Sequence, residues 1–192
     1  MRCAIAALWV LASTLTAGCA TDRWYVDPEN VVVRYEDLAP PATRARFRVR
    51  VTMLVEGQRL HSQRLQLNLS KRVMEVIGKS GLIEVSRSIA DPELDFRLDA
   101  DPRNASDFER HGPGARIEWV QEMIVYADTD KGLVERRYSQ SILVFRGKAQ
   151  EPDGLPAPMQ PRAAHDQVVE SMVLLALRDF QRDGLLPVAE TR

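Results

Sequence analysis

Cysteine is nearly missing from this chain of 192 residues: Cys3 and Cys19 are the only two. A disulfide-stapled fold is therefore excluded, and the chain must rely on a hydrophobic core, for which its length suffices. Aromatic residues make up only 6%, too few for a base-stacking platform. Neither sign of charge dominates, with 26 Lys and Arg against 27 Asp and Glu and a formal net charge of −1. Without a basic excess, nucleic acid is not an expected partner. The apolar run Ala4–Leu15 falls short of the roughly 20 residues that a membrane-spanning helix needs.

That run has another reading. Arg2 supplies a positive start, Ile5, Leu8, Val10 and Leu11 an apolar middle, and Thr16, Ala17 and Gly18 a small-residue end. This order is that of a secretory signal. Polarity changes abruptly after Cys19, where Thr21, Asp22 and Arg23 follow. Leu15-Thr16-Ala17-Gly18-Cys19 resembles the bacterial lipoprotein cleavage site, with Thr16 where leucine usually stands. The resemblance implies removal of residues 1–18, a diacylglyceryl group on the Cys19 thiol, and anchoring in the outer membrane, facing the periplasm. Each buried methylene contributes about 0.8 kcal/mol, and two or three acyl chains make a firm anchor.

Residues 19–43 read as a lipidated N-terminus and tether, broken by Asp27-Pro28-Glu29-Asn30 and Pro40-Pro41. Val31-Val32-Val33 and Tyr35 form a candidate strand within it. A single periplasmic domain is expected over residues 44–186, with 187–192 as a tail. It begins with a period of two over Arg44–Val55, where arginines alternate with Phe47, Val49, Val51 and Met53. Leu65, Leu69, Val73, Val76 and Ile77 share one helical arc that ends near Gly78 and Gly81. Short strands are expected at Leu82–Val85 and Leu94–Ala100, then a polar loop to Gly114. Two long strands, near Arg116–Tyr126 and Leu133–Phe145, form a hairpin around Asp128–Gly132. After a proline-rich connection, a last helix covers about Arg162–Asp183 and stops at Gly184. The expected fold class is α+β: one mostly antiparallel or mixed sheet of about five strands, with two helices packed on one face.

Chemical motifs fail on spacing. Gly78-Lys79-Ser80 lacks the earlier glycine of a phosphate-binding loop, since position 73 is Val73, and it follows a helix instead of opening one. His61, His111 and His165 share no metal-ligand spacing and read as surface residues. Asp99-Ala100-Asp101 and Asp128-Thr129-Asp130 lack a calcium loop's terminal glutamate, having Arg110 and Ser139 there. Ser62, His61, His165 and Asp166 form a triad only on paper. The expectation is therefore no cofactor, no metal and no enzyme activity.

Two features remain. Arg44, Arg46, Arg48 and Arg50 share one face of the first long strand, against a row of Glu93, Asp95, Asp99 and Asp101. Cross-strand pairing, with Asp95 and Asp99 as partners, is the favoured reading; a row facing open solvent is instead a surface for anions or an acidic partner. In the last helix, Leu174 and Leu177 lie outside the centre of the apolar arc, so this helix is either deeply buried or has a second, interface contact.

With its lipobox and the pattern of "SGLIEVSRSIADPELDFRLDA", the chain is similar in topology to auxiliary lipoproteins of ABC-type lipid transporters and to related envelope-assembly lipoproteins. The resemblance implies a non-enzymatic accessory subunit with an envelope protein partner. The alternatives are a lipid-binding or shuttling module and an enzyme acting on envelope polymers.

Overall fold

The computed structural model describes residues 22–55, 58–59, 63–99, 110–130 and 132–189. Its elements run β1 (Arg23–Val26), a 3-10 turn (Tyr35–Asp37), β2 (Ala45–Val55), β3 (Gln58–Arg59), α1 (Gln63–Ser80), β4 (Ile83–Val85), β5 (Glu93–Asp99), β6 (Arg116–Thr129), β7 (Gly132–Phe145) and α2 (Pro161–Arg182). The fold class is α+β, and the sheet has six strands in the order β1-β7-β6-β5-β2-β3, with β4 paired to the start of β2. It is mixed, because β2 and β5 run parallel while β5 and β6 run antiparallel.

Two strands join the five expected: the two-residue β3, and β1, which arises where a tether was expected. β1 lies inside residues 19–43 and pairs antiparallel with β7, Trp24 opposite Val144 and Tyr25 opposite Leu143. Successive strand residues point to opposite faces, so Trp24 and Tyr25 each bury a large ring on a different side, both at 1% exposure. That burial outweighs the turn-forming Asp27-Pro28 just beyond. The valines expected to form a strand do not: Val31 and Val32 are exposed, Val33 is buried, and Tyr35 opens the 3-10 turn.

The described residues divide into two compact units, each using a different stretch of β6, β7 and α2. The first unit holds residues 22–30, 110–121 and 140–168. Tyr25, Leu143, Phe145 and Ala149 cluster in it with Leu155 against them. The Tyr25 and Phe145 rings meet edge to face at 5.6 Å, a favoured aromatic geometry.

The second unit holds residues 31–99, 122–139 and 169–189 among those described. β5 is its most buried strand, with Leu94, Phe96 and Leu98 inside. α1 buries Leu69, Val73, Val76 and Ile77, the arc that its period predicts. Phe47 and Met53 of β2 are buried, whereas Val49 and Val51 keep partial exposure. Among the described residues the sheet continues beyond β2 only as β3 and β4, of two and three residues, so β2 is covered nearly as an edge strand is. From Met172 to Leu177 every residue of α2 is buried. The helix then stops in a Schellman motif: Leu185 N–H donates to the Phe180 carbonyl, Gly184 N–H to that of Gln181, and Gly184 takes φ +73°.

Candidate functional site

The arginine row is positioned by strand register. In the parallel β2–β5 ladder Arg48 stands opposite Glu93 and Arg50 opposite Asp95, so alternating residues on both strands share one face. Arg48 Nη2 lies 3.1 Å from Glu93, and Arg50 Nη2 lies 2.7 Å from Glu93 and 3.0 Å from Asp95. Arg46 is 3.5 Å from both Glu84 and Asp91. Arg44 is exposed. Asp99 stands opposite Leu54, four residues beyond Asp95, and Asp101 lies outside the described residues.

Asp95 is the hub of this face. It is 3% exposed, and its Oδ2 accepts from both Arg50 and Arg97 Nε, the latter at 2.8 Å. Oδ1 accepts no hydrogen bond among the described residues. Arg97 also stacks over the Tyr126 ring, 4.4 Å from its centroid, a cation–π contact. The hydrogen bond to Asp95 outweighs partial desolvation and pushes the Arg50 guanidinium further up. Arg46, by contrast, leaves 59% of its side chain in water. The face thus runs from solvated charges at Arg44 and Arg46 to an ionic cluster around the buried Asp95, in which Arg50 still keeps 55% of its side chain exposed.

Leu174 and Leu177 form no free interface: they are 2% and 0% exposed. The reason is that α2 buries its flanks as well as its central arc, including Leu175, Ala176 and Leu177 in succession. Cys19, the expected lipidation site, lies outside the described residues, as do His61 and Ser62.

One cluster is not foreshadowed by any sequence motif. His165, expected at the surface, packs in the first unit against Trp24 and Trp119, with ring centroids 5.8 and 5.4 Å away. Gln121 Nε2 sits 2.5 Å from His165 Nδ1. With the amide nitrogen facing the ring, Nδ1 accepts and the proton resides on Nε2. Burial pushes the imidazole down to about 4. Part of the residue still reaches the surface, yet the two indoles flanking the ring govern its protonation more than that remaining edge does. His165 is therefore neutral at physiological pH. The one signal in the sequence is its helical spacing to Val168, Val169 and Met172, all buried. His111 is exposed, as expected.

A third polar group lies in the second unit. Tyr138 donates to Asp179 Oδ2 at 3.3 Å, and Arg136 reaches Asp183 at 2.8 Å. Burial and Asp179 push the Tyr138 phenol far up, and burial with Glu170 pushes that of Tyr35 up to about 12. Neither tyrosine is a proton donor or acceptor near neutrality. Among the described residues there is no group of three or more His, Cys, Asp or Glu placed to hold a metal, and no helix is long and apolar enough to cross a membrane.

No family model matches the chain, and no curated protein matches it. Solved structures do. A Xanthomonas campestris protein of the family DUF330 is similar at 15% identity and a TM-score of 0.40, covering 77% of this chain and 94% of its own. An uncharacterized protein is similar at 11% identity and a TM-score of 0.29, over 76% and 95% of the two chains. The PelC dodecamer from Paraburkholderia phytofirmans is similar at 10% identity and a TM-score of 0.34, over 82% and 96%.

Proposed function

We propose that the chain is a lipoprotein, fastened through Cys19 to the outer membrane and facing the periplasm, that serves there as a non-enzymatic accessory subunit of an envelope assembly or transport system. The carrying observation is the pattern Leu15-Thr16-Ala17-Gly18-Cys19 behind an apolar run, with the polarity step at Thr21. The start of β1 at Arg23 is consistent with it, since the first strand begins just past the acyl site. Exposed Arg44 and the half-solvated Arg46 offer a partner the accessible end of the charged face, while Arg48 pairs with Glu93 and Arg50 with Glu93 and Asp95.

Metabolic labelling with a palmitate analogue tests the anchor. The wild-type chain takes up label and Cys19→Ala does not; label retained by the variant would falsify the assignment. For the partner surface, Arg44→Glu with Arg46→Glu leaves the fold intact and weakens a salt-sensitive association in the envelope.

A further inference from the structure

In the first unit the described chain begins at Asp22, separated from Cys19 only by Ala20 and Thr21. Three residues of extended chain span at most about 11 Å. Whatever holds Cys19 therefore holds Asp22 close to it, and Asp22 is built into one corner of the unit. Its Oδ2 lies 3.6 Å from Arg146 Nε, at the residue that follows β7.

That corner is locked by backbone contacts. Gly114 N–H donates to the Arg146 carbonyl at 2.8 Å, and Arg146 N–H donates to that of Ala115 at 2.9 Å. The Arg146 guanidinium also donates to the His111 carbonyl. Gly147 has φ +58°, and a Cβ there would come within 3.3 Å of Pro113. The segment 110–116 and the turn at Gly147-Lys148 thus form one rigid edge.

Exposed on this edge are Arg110, Arg116 and Lys148. Two nearby carboxylates are engaged: Asp22 with Arg146, and Glu151 with both Arg23 and Tyr25. Glu118, two residues past Arg116, accepts from Ser141 Oγ at 2.7 Å, and Asp153 is exposed in the next turn. Glu118 and Asp153 keep their charge, so among the described residues this edge presents three cations to solvent against two carboxylates, a net charge of +1.

We propose that this corner is the membrane-facing surface of the protein, with Arg110, Arg116 and Lys148 against the anionic phospholipid headgroups of the leaflet that holds the Cys19 acyl chains. The inference rests on the acylation of Cys19 proposed above. The short spacer sets the distance, comparable to the Debye length of about 8 Å at physiological salt, and the charges set the orientation. A single acyl-bearing cysteine would otherwise let the unit rotate; the cationic edge turns it to the bilayer.

The test uses the full chain extracted from membranes and reconstituted into vesicles of phosphatidylethanolamine and phosphatidylglycerol that carry a headgroup nitroxide. Gly112→Cys places an environment-sensitive fluorophore on the edge, where a Cβ meets nothing within 4 Å. Glu29→Cys places it in the exposed turn beyond the other end of β1, about 20 Å along the strand direction. Quenching at position 112 should exceed that at 29 at least twofold, and Arg110→Glu with Arg116→Glu should remove the excess. Phosphatidylcholine vesicles should also remove it. Intact mass of the same sample reports the acyl adduct. An adduct with equal quenching at both positions overturns the orientation alone, as does quenching indifferent to the charge reversals. Absence of the adduct overturns the anchor, and this inference with it.

Discussion

Protonating His165 puts an N–H on Nδ1, which Gln121 can meet only by turning over its amide so that Oε1, unpartnered among the described residues, faces the ring. It also places a charge in a site where burial already holds the imidazole down to about 4. The unfolded value is about 6.5, so below it the unfolded chain binds the proton first. The stability of the neutral form is full above about pH 6.5 and is lost as pH falls toward 4. Between pH 7 and pH 5 the wild type should lose about 2 kcal/mol relative to His165→Gln, measured by urea unfolding. A difference between the two chains that does not change with pH would remove His165 from this role. Asp95 is the other residue with buried charge chemistry. Asp95→Asn should cost about 1–3 kcal/mol, because charged hydrogen bonds to Arg50 and Arg97 are weakened together. Arg46→Ala, at a side chain 59% exposed in its pairs with Glu84 and Asp91, should cost under about 1 kcal/mol. Equal losses at the two positions would contradict the gradient from solvated to buried charge along this face.

The two helices differ as elements. α1 has one apolar arc and leaves Leu67 and Met74 exposed on its other side. Its period is therefore legible in the amino-acid order alone. α2 buries a far wider arc between Val168 and Phe180, leaving Glu170, Ser171, Arg178 and Asp179 partly exposed, and so wide an arc does not show which of its flanking leucines are core. That is why Leu174 and Leu177 resemble an interface in sequence and are core in the fold. Leu177→Ala should cost about 2–5 kcal/mol in equilibrium unfolding, the range for a fully buried leucine; a near-neutral result would mean that the helix is covered differently. At its end, Gly184→Ala should cost about 1–2 kcal/mol, since any Cβ strains a left-handed residue. β1 is hidden in the sequence for another reason. Four residues, Arg23-Trp24-Tyr25-Val26, are too few to show a period, and their partner β7 lies more than a hundred residues away.

For the whole molecule, the scarcity of cysteine has a direct consequence. A chain beginning at Ala20 contains no thiol, so its thermal midpoint should not change when reductant is added. A shift would point to a reductant-sensitive contact of another kind. Apart from β1 and β3, the order of strands and helices, the one-faced burial of α1, the hairpin of β6 and β7, and the alternation of arginine with apolar residues along β2 were set by the sequence itself. Each rests on local periodicity or on turn residues, which act over a few positions. Tertiary structure alone decided that Arg48 and Arg50 meet Glu93 and Asp95, because that depends on the parallel register of β2 and β5. It alone placed β1 at the edge of β7, His165 between Trp24 and Trp119, and Asp22 against Arg146. These contacts join residues far apart in the chain, and no short-range pattern encodes them: they exist only once burial of distant apolar surfaces has brought the strands and helices together.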